Sequence, residues 1–546
     1  MKKLHQLEAT ALSGNDPLSS ILYIPALTIA FAGKHAWISI LIIGIMFLLY
    51  KVMYTNVSSH YLFNGGVYNI SFLNFSKLIS KLIAIISLLT FLLLTTISLN
   101  EASRYLMEII PGGSPTFYSI GLISIIFILS LIGAKITSKF SVLILIVFSL
   151  SLLIILIFGI LFLFKNGLGT LLSNFNSPFT QSSPAHAIVL GFTGGIFAIS
   201  GLESASNYVE QQKKNIYKKV FNNIWLLYII PNLIMIFLIL SIVKIPDLQS
   251  GYYYNTLISH LADLTVGGNF TSFIKISSFL VLFGAAISSF FGAVNLFYRL
   301  IQDRAIPYFS TNKKLNTAII SLIFYVLSIS LLFSIKGNVM NIISLFTLSF
   351  LLLLLIFSIN FIIFHFKYNI STSQSKLLFI SIGIISITGV AFALYINLKN
   401  SPQPQENLMA SIFNNSPRTI ILLVIIFLIP MLATKKKGIY AFTSKETINL
   451  KNALDYFKKN KFKDIKIAYW NNFDQNEVQI RQIKEMHPNL NIELIKIDEP
   501  FSLKSLKELY KKLKLKENQV YLDASKIKQL RQNDVETGDI RFIANN

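Results

Sequence analysis

Two carboxylates stand in stretches where carboxylates are expensive. Asp16 lies in SGNDPLSSILY and Glu203 in FAISGLESASNYVEQQKK, each inside or beside an otherwise apolar run. An acid at membrane depth costs roughly 2.5–3.5 kcal/mol on insertion scales and more in simulations, so one that is kept there has a partner or a task. The residues around both acids are those that interrupt helices: SGNDP, Ser13 to Pro17, at the first, and Gly191, Gly194, Gly195 and Gly201 at the second. An interrupted membrane helix presents free peptide N–H groups to anions and free carbonyls, with any nearby carboxylate, to cations. Glu203 can therefore hold a cationic group, a coupling proton or the unwound backbone itself. The plainer alternative is that it only accepts hydrogen bonds from unwound amides. Ser19, Ser20, Thr193, Ser200 and Ser204 line the same breaks, offering hydroxyls either to a bound species or to freed carbonyls and helix packing.

The elements that carry these residues must be membrane helices. The 546-residue chain is 53% hydrophobic and 13% charged, too apolar for a soluble protein of this size. Of its 25 acids, only Glu8, Asp16, Glu101, Glu108, Glu203, Glu210, Asp247, Asp263, Asp303 and Glu406 precede residue 435. Residues 1–434 are thus expected to be a membrane domain and residues 435–546 a soluble one. The net charge of +23 sits largely in loops between apolar spans, which argues for a lipid surface and against nucleic acid. With no cysteine and seven scattered histidines, no metal or other cofactor is expected.

About 20 apolar residues cross the hydrocarbon layer. That criterion predicts spans at 11–33, 36–54, 78–99, 116–134, 140–164, 186–209, 221–243, 272–300, 317–335, 341–365, 377–397 and 418–434, twelve in all. With the N-terminus inside, internal connections hold about twice as many Lys and Arg as external ones, so both termini are expected in the cytoplasm. The N-terminus has no signal-peptide cleavage pattern. The interrupted spans are the first and the sixth, the same place in two consecutive sets of five. This correspondence points to a secondary transporter built as a five-plus-five inverted repeat, with two further helices and a site between its discontinuous helices.

Four motifs carry a family resemblance. GIFAISGLESASNYVEQQKKN, GAAISSFFGAVNLFYRLIQDRAIPYF (Gly284 to Phe309), NGGVYNI (Asn64 to Ile70) and LIGAKITSKF (Leu131 to Phe140) resemble, in order, segments of the amino acid, polyamine and organocation permeases. The resemblance covers about residues 10–434. It implies an amino acid permease of a bacterial inner membrane, working by alternating access with a coupling ion, expected to be a proton. The family's glycine-rich GSGIF-like first break is replaced here by SGNDPLSSILY. Asp16 to Tyr23, DPLSSILY, is instead similar to the D-x-L-S-S-x-x-Y of proton-coupled potassium importers in the same superfamily. That similarity implies cation-site roles for Asp16, Tyr23, Ser200 and Glu203. Amino acids remain the first reading, because span 8 is more like the larger amino acid branch.

Tyr298, Arg299 and Asp303 suggest an intracellular gate with the first helix. Lys275, near the external end of span 8, either stands in for a sodium ion or, more plainly, reaches toward the interface. Phe192 and Phe197 are gate candidates diluted by 45 phenylalanines. Beyond KKKG the pattern changes to short alternating elements. DIKIAYW, NIELIKI and NQVYLDA read as strands between amphipathic helices, predicting a small cytosolic α/β domain with a parallel sheet. It carries no glycine-rich phosphate loop, and a regulatory role is its default reading.

Overall fold

The computed structural model describes residues 3–60, 64–176, 183–213, 215–249, 257–302, 313–335, 340–368 and 373–399, and the strand segments 437–442, 464–470, 491–497, 520–523 and 541–543. The chain opens with α1 (Gln6–Ser19), a 3-10 turn Ser20–Leu22, α2 (Ile24–Ala32), α3 (Ala36–His60), α4 (Gly66–Asn74) and α5 (Lys77–Ile109). There follow α6 (Pro115–Ile132), α7 (Ala134–Asn166), α8 (Gly169–Asn176), α9 (Pro184–Gly195), a 3-10 turn Ile196–Ile199 and α10 (Leu202–Ser206). Next come α11 (Tyr217–Ile242), α12 (Ile245–Gln249), α13 (Leu257–Thr265), α14 (Gly268–Gln302), α15 (Lys313–Ile335), α16 (Met340–Tyr368) and α17 (Ser373–Lys399).

Ten segments of the described residues are long and apolar enough to cross a membrane, and the protein is an integral membrane protein. The first, Ile24–Ser59, carries the turn Gly33–His35 between α2 and α3. The expected spans at 11–33 through 377–397 each fall on one of these helices or broken helices; the expected span 418–434 lies outside the described residues. α1 is not among the ten. It is the least apolar of the long elements, yet every residue from Ala9 to Ser19 is buried, because it runs through the middle of the bundle against α7, α11 and α14. A central helix faces protein rather than lipid, so it can carry Ser13, Asn15 and Asp16 where a peripheral helix cannot. By contrast α7 turns Leu143, Ile146, Leu150, Leu153 and Phe164 outward, the surface a lipid-facing helix needs.

The structure corrects the position of the first break. SGNDP is helical, and the chain unwinds later, at Ser20 to Tyr23, where Tyr23 takes φ −135 and ψ −29. Pro25 supplies the reason: it lacks the N–H that would bond the Ile21 carbonyl, and its ring crowds that carbonyl, so the helix must stop and restart. Pro17 frees the Ser13 carbonyl in the same way but is tolerated. An added Cβ at Gly201 would sit 3.1 Å from that oxygen and 2.7 Å from Pro17 Cδ, so the glycine leaves the room that the kinked backbone occupies.

The glycines of the sixth expected span also divide. Gly191, Gly194 and Gly195 belong to α9 and are packing positions: a Cβ at Gly191 would lie 2.6 Å from Ser39 Oγ and 2.9 Å from Ala32 Cβ, and one at Gly195 2.7 Å from Ile43 Cδ1. Small residues let α9 approach α2 and α3 closely. Gly191→Val is therefore expected to destabilise the protein by about 1–3 kcal/mol through overpacking. A lowered melting temperature would register this, whereas an unchanged melt would show the contact to be loose.

α1 packs on α10 and α2 on α9, so the two interrupted helices cross in opposite chain directions. Separately, five strands form an all-parallel sheet: β1 (Lys437–Phe442), β2 (Asp464–Trp470), β3 (Asn491–Ile497), β4 (Val520–Asp523) and β5 (Arg541–Ile543), in the order β3-β2-β1-β4-β5. β2 and β3 coincide with DIKIAYW and NIELIKI, and β4 lies within NQVYLDA. β1 and β5 were not anticipated. The helices expected between the strands lie outside the described residues. Parallel neighbours require crossover connections of a dozen or more residues, and each gap between consecutive strands is long enough for one.

Candidate functional site

The two breaks meet. Ser200 follows the turn Ile196–Ile199 in extended backbone, φ −58 and ψ 169, and Gly201 takes φ +91, a conformation in which a side chain is strained. This turns the Ser200 hydroxyl across to α1, where it donates to Asp16 Oδ1 at 2.8 Å. Both residues are buried, and Asp16 Oδ2 has no hydrogen-bond partner among the described residues. A hydrogen bond to a charged acceptor contributes about 1.5–3 kcal/mol, less than the cost of a buried carboxylate left half satisfied.

Ser19 and Ser20 close the end of α1. Ser19 Oγ donates to the Asp16 carbonyl at 2.7 Å and Ser20 Oγ to the Pro17 carbonyl at 2.6 Å, while Ser20 also accepts from Asn232 on α11 at 3.2 Å. Thr193 Oγ1 donates to the Leu190 carbonyl at 3.1 Å. The hydrogens of these three hydroxyls go to backbone, leaving only lone pairs to offer. Tyr23, half-buried, lies near both Ser19 and Asp16 and stacks on Phe197 with ring centroids 5.8 Å apart. Phe197 in turn meets Phe346 of α16 edge-on, so an aromatic stack borders both breaks. Phe192 is buried on α9.

Glu203 has different company. It is buried on α10, facing the Ser87 hydroxyl of α5 and Tyr54 of α3. The structure therefore gives the two acids separate polar nests, one between α1 and the sixth-span break, the other between α10, α3 and α5. Ser87 and Tyr54 escaped the sequence reading. Nothing in ISLLT or VMYTN distinguishes them from the other serines and the 23 tyrosines of the chain.

Arg299, buried near the end of α14, pairs with Glu210 at 3.1 Å. Tyr298 beside it is half-buried against the core, and Asp303 lies outside the described residues. One partner of Arg299 is thus in the segment after α10. Lys275 does not simply reach outward: its Nζ lies 2.9 Å from Glu108 on α5.

Membrane-length helices around two interrupted ones, meeting at a buried carboxylate, make a transport protein. The amino acid permease family matches residues 4–436, and the chain belongs to that family: it is a secondary transporter of the amino acid, polyamine and organocation superfamily and not an enzyme. No curated relative matches the chain. Among solved structures, a mutant of the Eremococcus coleocola manganese transporter is 12% identical, covering 78% of this chain and 95% of that one with a TM-score of 0.49. A Na+-coupled sialic acid symporter in a substrate-bound, outward-open state is 14% identical, covering 72% of this chain and 89% of that one with a TM-score of 0.48. Similarity this slight assigns neither cargo nor ion to the present chain.

Proposed function

We propose that the protein is an amino acid permease of a bacterial inner membrane that works by alternating access and is coupled to protons. Its twelve spans form a five-plus-five inverted repeat plus two, with both termini in the cytoplasm. The observation that carries this reading is the Ser200–Asp16 hydrogen bond, which joins the two interrupted helices at a carboxylate with a spare oxygen. Cargo enters from outside, docks on the exposed ends of the two breaks beside Gly201, Tyr23, Ser19, Ser20 and Thr193, and leaves inward as the bundle rocks. Asp16 or Glu203 carries the coupling proton. The antiparallel crossing of α1/α2 with α9/α10 supports the inverted-repeat reading. Purified protein in liposomes is expected to accumulate an amino acid under an inward proton gradient; uptake indifferent to that gradient would count against coupling.

Proton-coupled potassium import is the second reading. DPLSSILY favours it, as does the proximity of Tyr23 to Asp16, since an acid and a phenol suit a bare cation better than a substrate carboxylate. Rescue of potassium-limited growth in a transport-deficient strain would decide for it. The C-terminal segment, residues 435–546, is proposed to be a cytosolic α/β domain with a regulatory role. Its sheet reverses strand order between β1 and β4, the place where doubly wound sheets hold small molecules. A third and weaker reading, favoured only by this segment, is a membrane sensor that does not transport; measurable flux after deletion of residues 445–546 would argue strongly against it.

A further inference from the structure

The break at Ser20 to Tyr23 also has a wall on α11, formed by Asn232 and Tyr228. The two residues are one helical turn apart, so their side chains share a face, and both are fully buried. The Asn232 amide spends its two hydrogens, one on the Tyr228 carbonyl at 2.9 Å and one on Ser20 Oγ at 3.2 Å. That fixes its orientation, because a flipped amide would set its oxygen against the Tyr228 carbonyl. Asn232 Oδ1 is left as a pure acceptor without a hydrogen-bond partner among the described residues, and Tyr228 Oη has none there either. The Tyr228 phenol lies within electrostatic reach of Tyr23, and its ring packs on Phe47 of α3 with centroids 5.3 Å apart. Pro231, between the two, lacks the N–H that would bond the Leu227 carbonyl, which leaves a third oxygen on this turn without its usual helical donor.

We infer that Asn232 and Tyr228 form a subsite for a cationic group on the α11 side of the first break, and that they set the preference of the cavity for such a group. The inference rests on the reading that cargo docks at the breaks. A buried acceptor without a donor is a cost to the fold, and oxygens gathered on one turn beside an interrupted helix recover that cost when a positive group sits among them. The group is the ammonium of a larger cargo or a bare alkali cation. An ammonium brings hydrogens and no acceptor, and an alkali cation exchanges its hydration shell for neutral oxygens, so this wall serves both without a charge of its own. A carboxylate is poorly served here, because Asn232 has no N–H left to give it and the Tyr228 hydroxyl supplies only one hydrogen.

The test is the melting temperature of the full-length purified protein, followed against rising potassium chloride, methylammonium chloride and tetramethylammonium chloride. Potassium stands for the bare cation and methylammonium for the ammonium of a larger cargo, while tetramethylammonium carries the same charge with no N–H and a shell of methyl groups. The melting temperature should rise with potassium or with methylammonium, which tells the two sources apart, and stay level with tetramethylammonium. In Tyr228→Phe, which removes one oxygen and keeps the ring, the half-maximal concentration should be at least tenfold higher, and in Asn232→Leu the loss should be larger still. No rise in the parent would leave these oxygens to buried water and overturns the inference, as does an equal rise with tetramethylammonium or an unchanged response in either variant. If Asn232→Leu does not fold, Tyr228→Phe decides alone. Binding of these probes needs neither transport nor a proton gradient, so a failed uptake assay leaves this result standing.

Discussion

Gly201→Leu is expected to lower uptake at least about thirtyfold while the protein still inserts and purifies as a single species. Gly201 combines a φ of +91 with a packed surrounding, since a Cβ would fall 2.7 Å from the Pro17 ring and 3.1 Å from the Ser13 carbonyl. A residue held in such backbone costs about 1–3 kcal/mol, and forcing a side chain into filled space about 1–3 kcal/mol more. At about 1.4 kcal/mol per factor of ten, relief of even the lower sum by moving α1 away from Ser200 disperses the site. The measurement is initial uptake by proteoliposomes alongside size-exclusion behaviour. Transport at the parent rate would mean the break is not needed where it stands.

The second large effect is expected at Asp16→Asn. The amide keeps the shape of the carboxylate and an oxygen for the Ser200 hydroxyl, so the bond between the two breaks persists in neutral form. What disappears is the charge presented by the second oxygen. Gradient-driven uptake should fall at least about tenfold, because a charge-assisted contact worth about 1.5–3 kcal/mol is replaced by a neutral one near 1 kcal/mol. Thermal stability should hold or rise, since a buried carboxylate with an unpartnered oxygen is a cost to the fold. Loss of stability together with loss of uptake would instead make Asp16 a structural acid. Ser200→Ala, which leaves the charge, should be the milder of the two.

The membrane helices were legible because twenty apolar residues in a row have few other uses, and β2 and β3 because their alternation is regular. The breaks were legible only in part. Pro17 and Pro25 look alike in sequence, but the first is absorbed where Gly201 leaves room and the second halts the helix. Four glycines near the second break looked equivalent, yet three are contact points for Ser39, Phe31 and Ile43, and Gly201 alone takes the unusual backbone. Packing glycines and unwinding glycines cannot be separated without knowing what lies opposite. The same limit hid the partners of the acids. Asp16 and Glu203 announced themselves by their cost, whereas Ser87, Tyr54 and Glu210 are ordinary residues made notable by helices remote in sequence. β1 and β5 were missed because KGIYAF adjoins a lysine run that reads as a boundary, and RFI is too short to display a period.

The central claim is that the crossing of the two interrupted helices at Asp16 and Ser200 is where cargo binds. Thermal-shift binding by the full chain, with the twenty amino acids, potassium, sodium and polyamines in turn, tests it most directly when run on the parent and on Asp16→Asn together. The account predicts that one class of compound raises the melting temperature of the parent and leaves that of Asp16→Asn unmoved. Equal stabilisation of both proteins by the same compound would place the binding site elsewhere and contradict it.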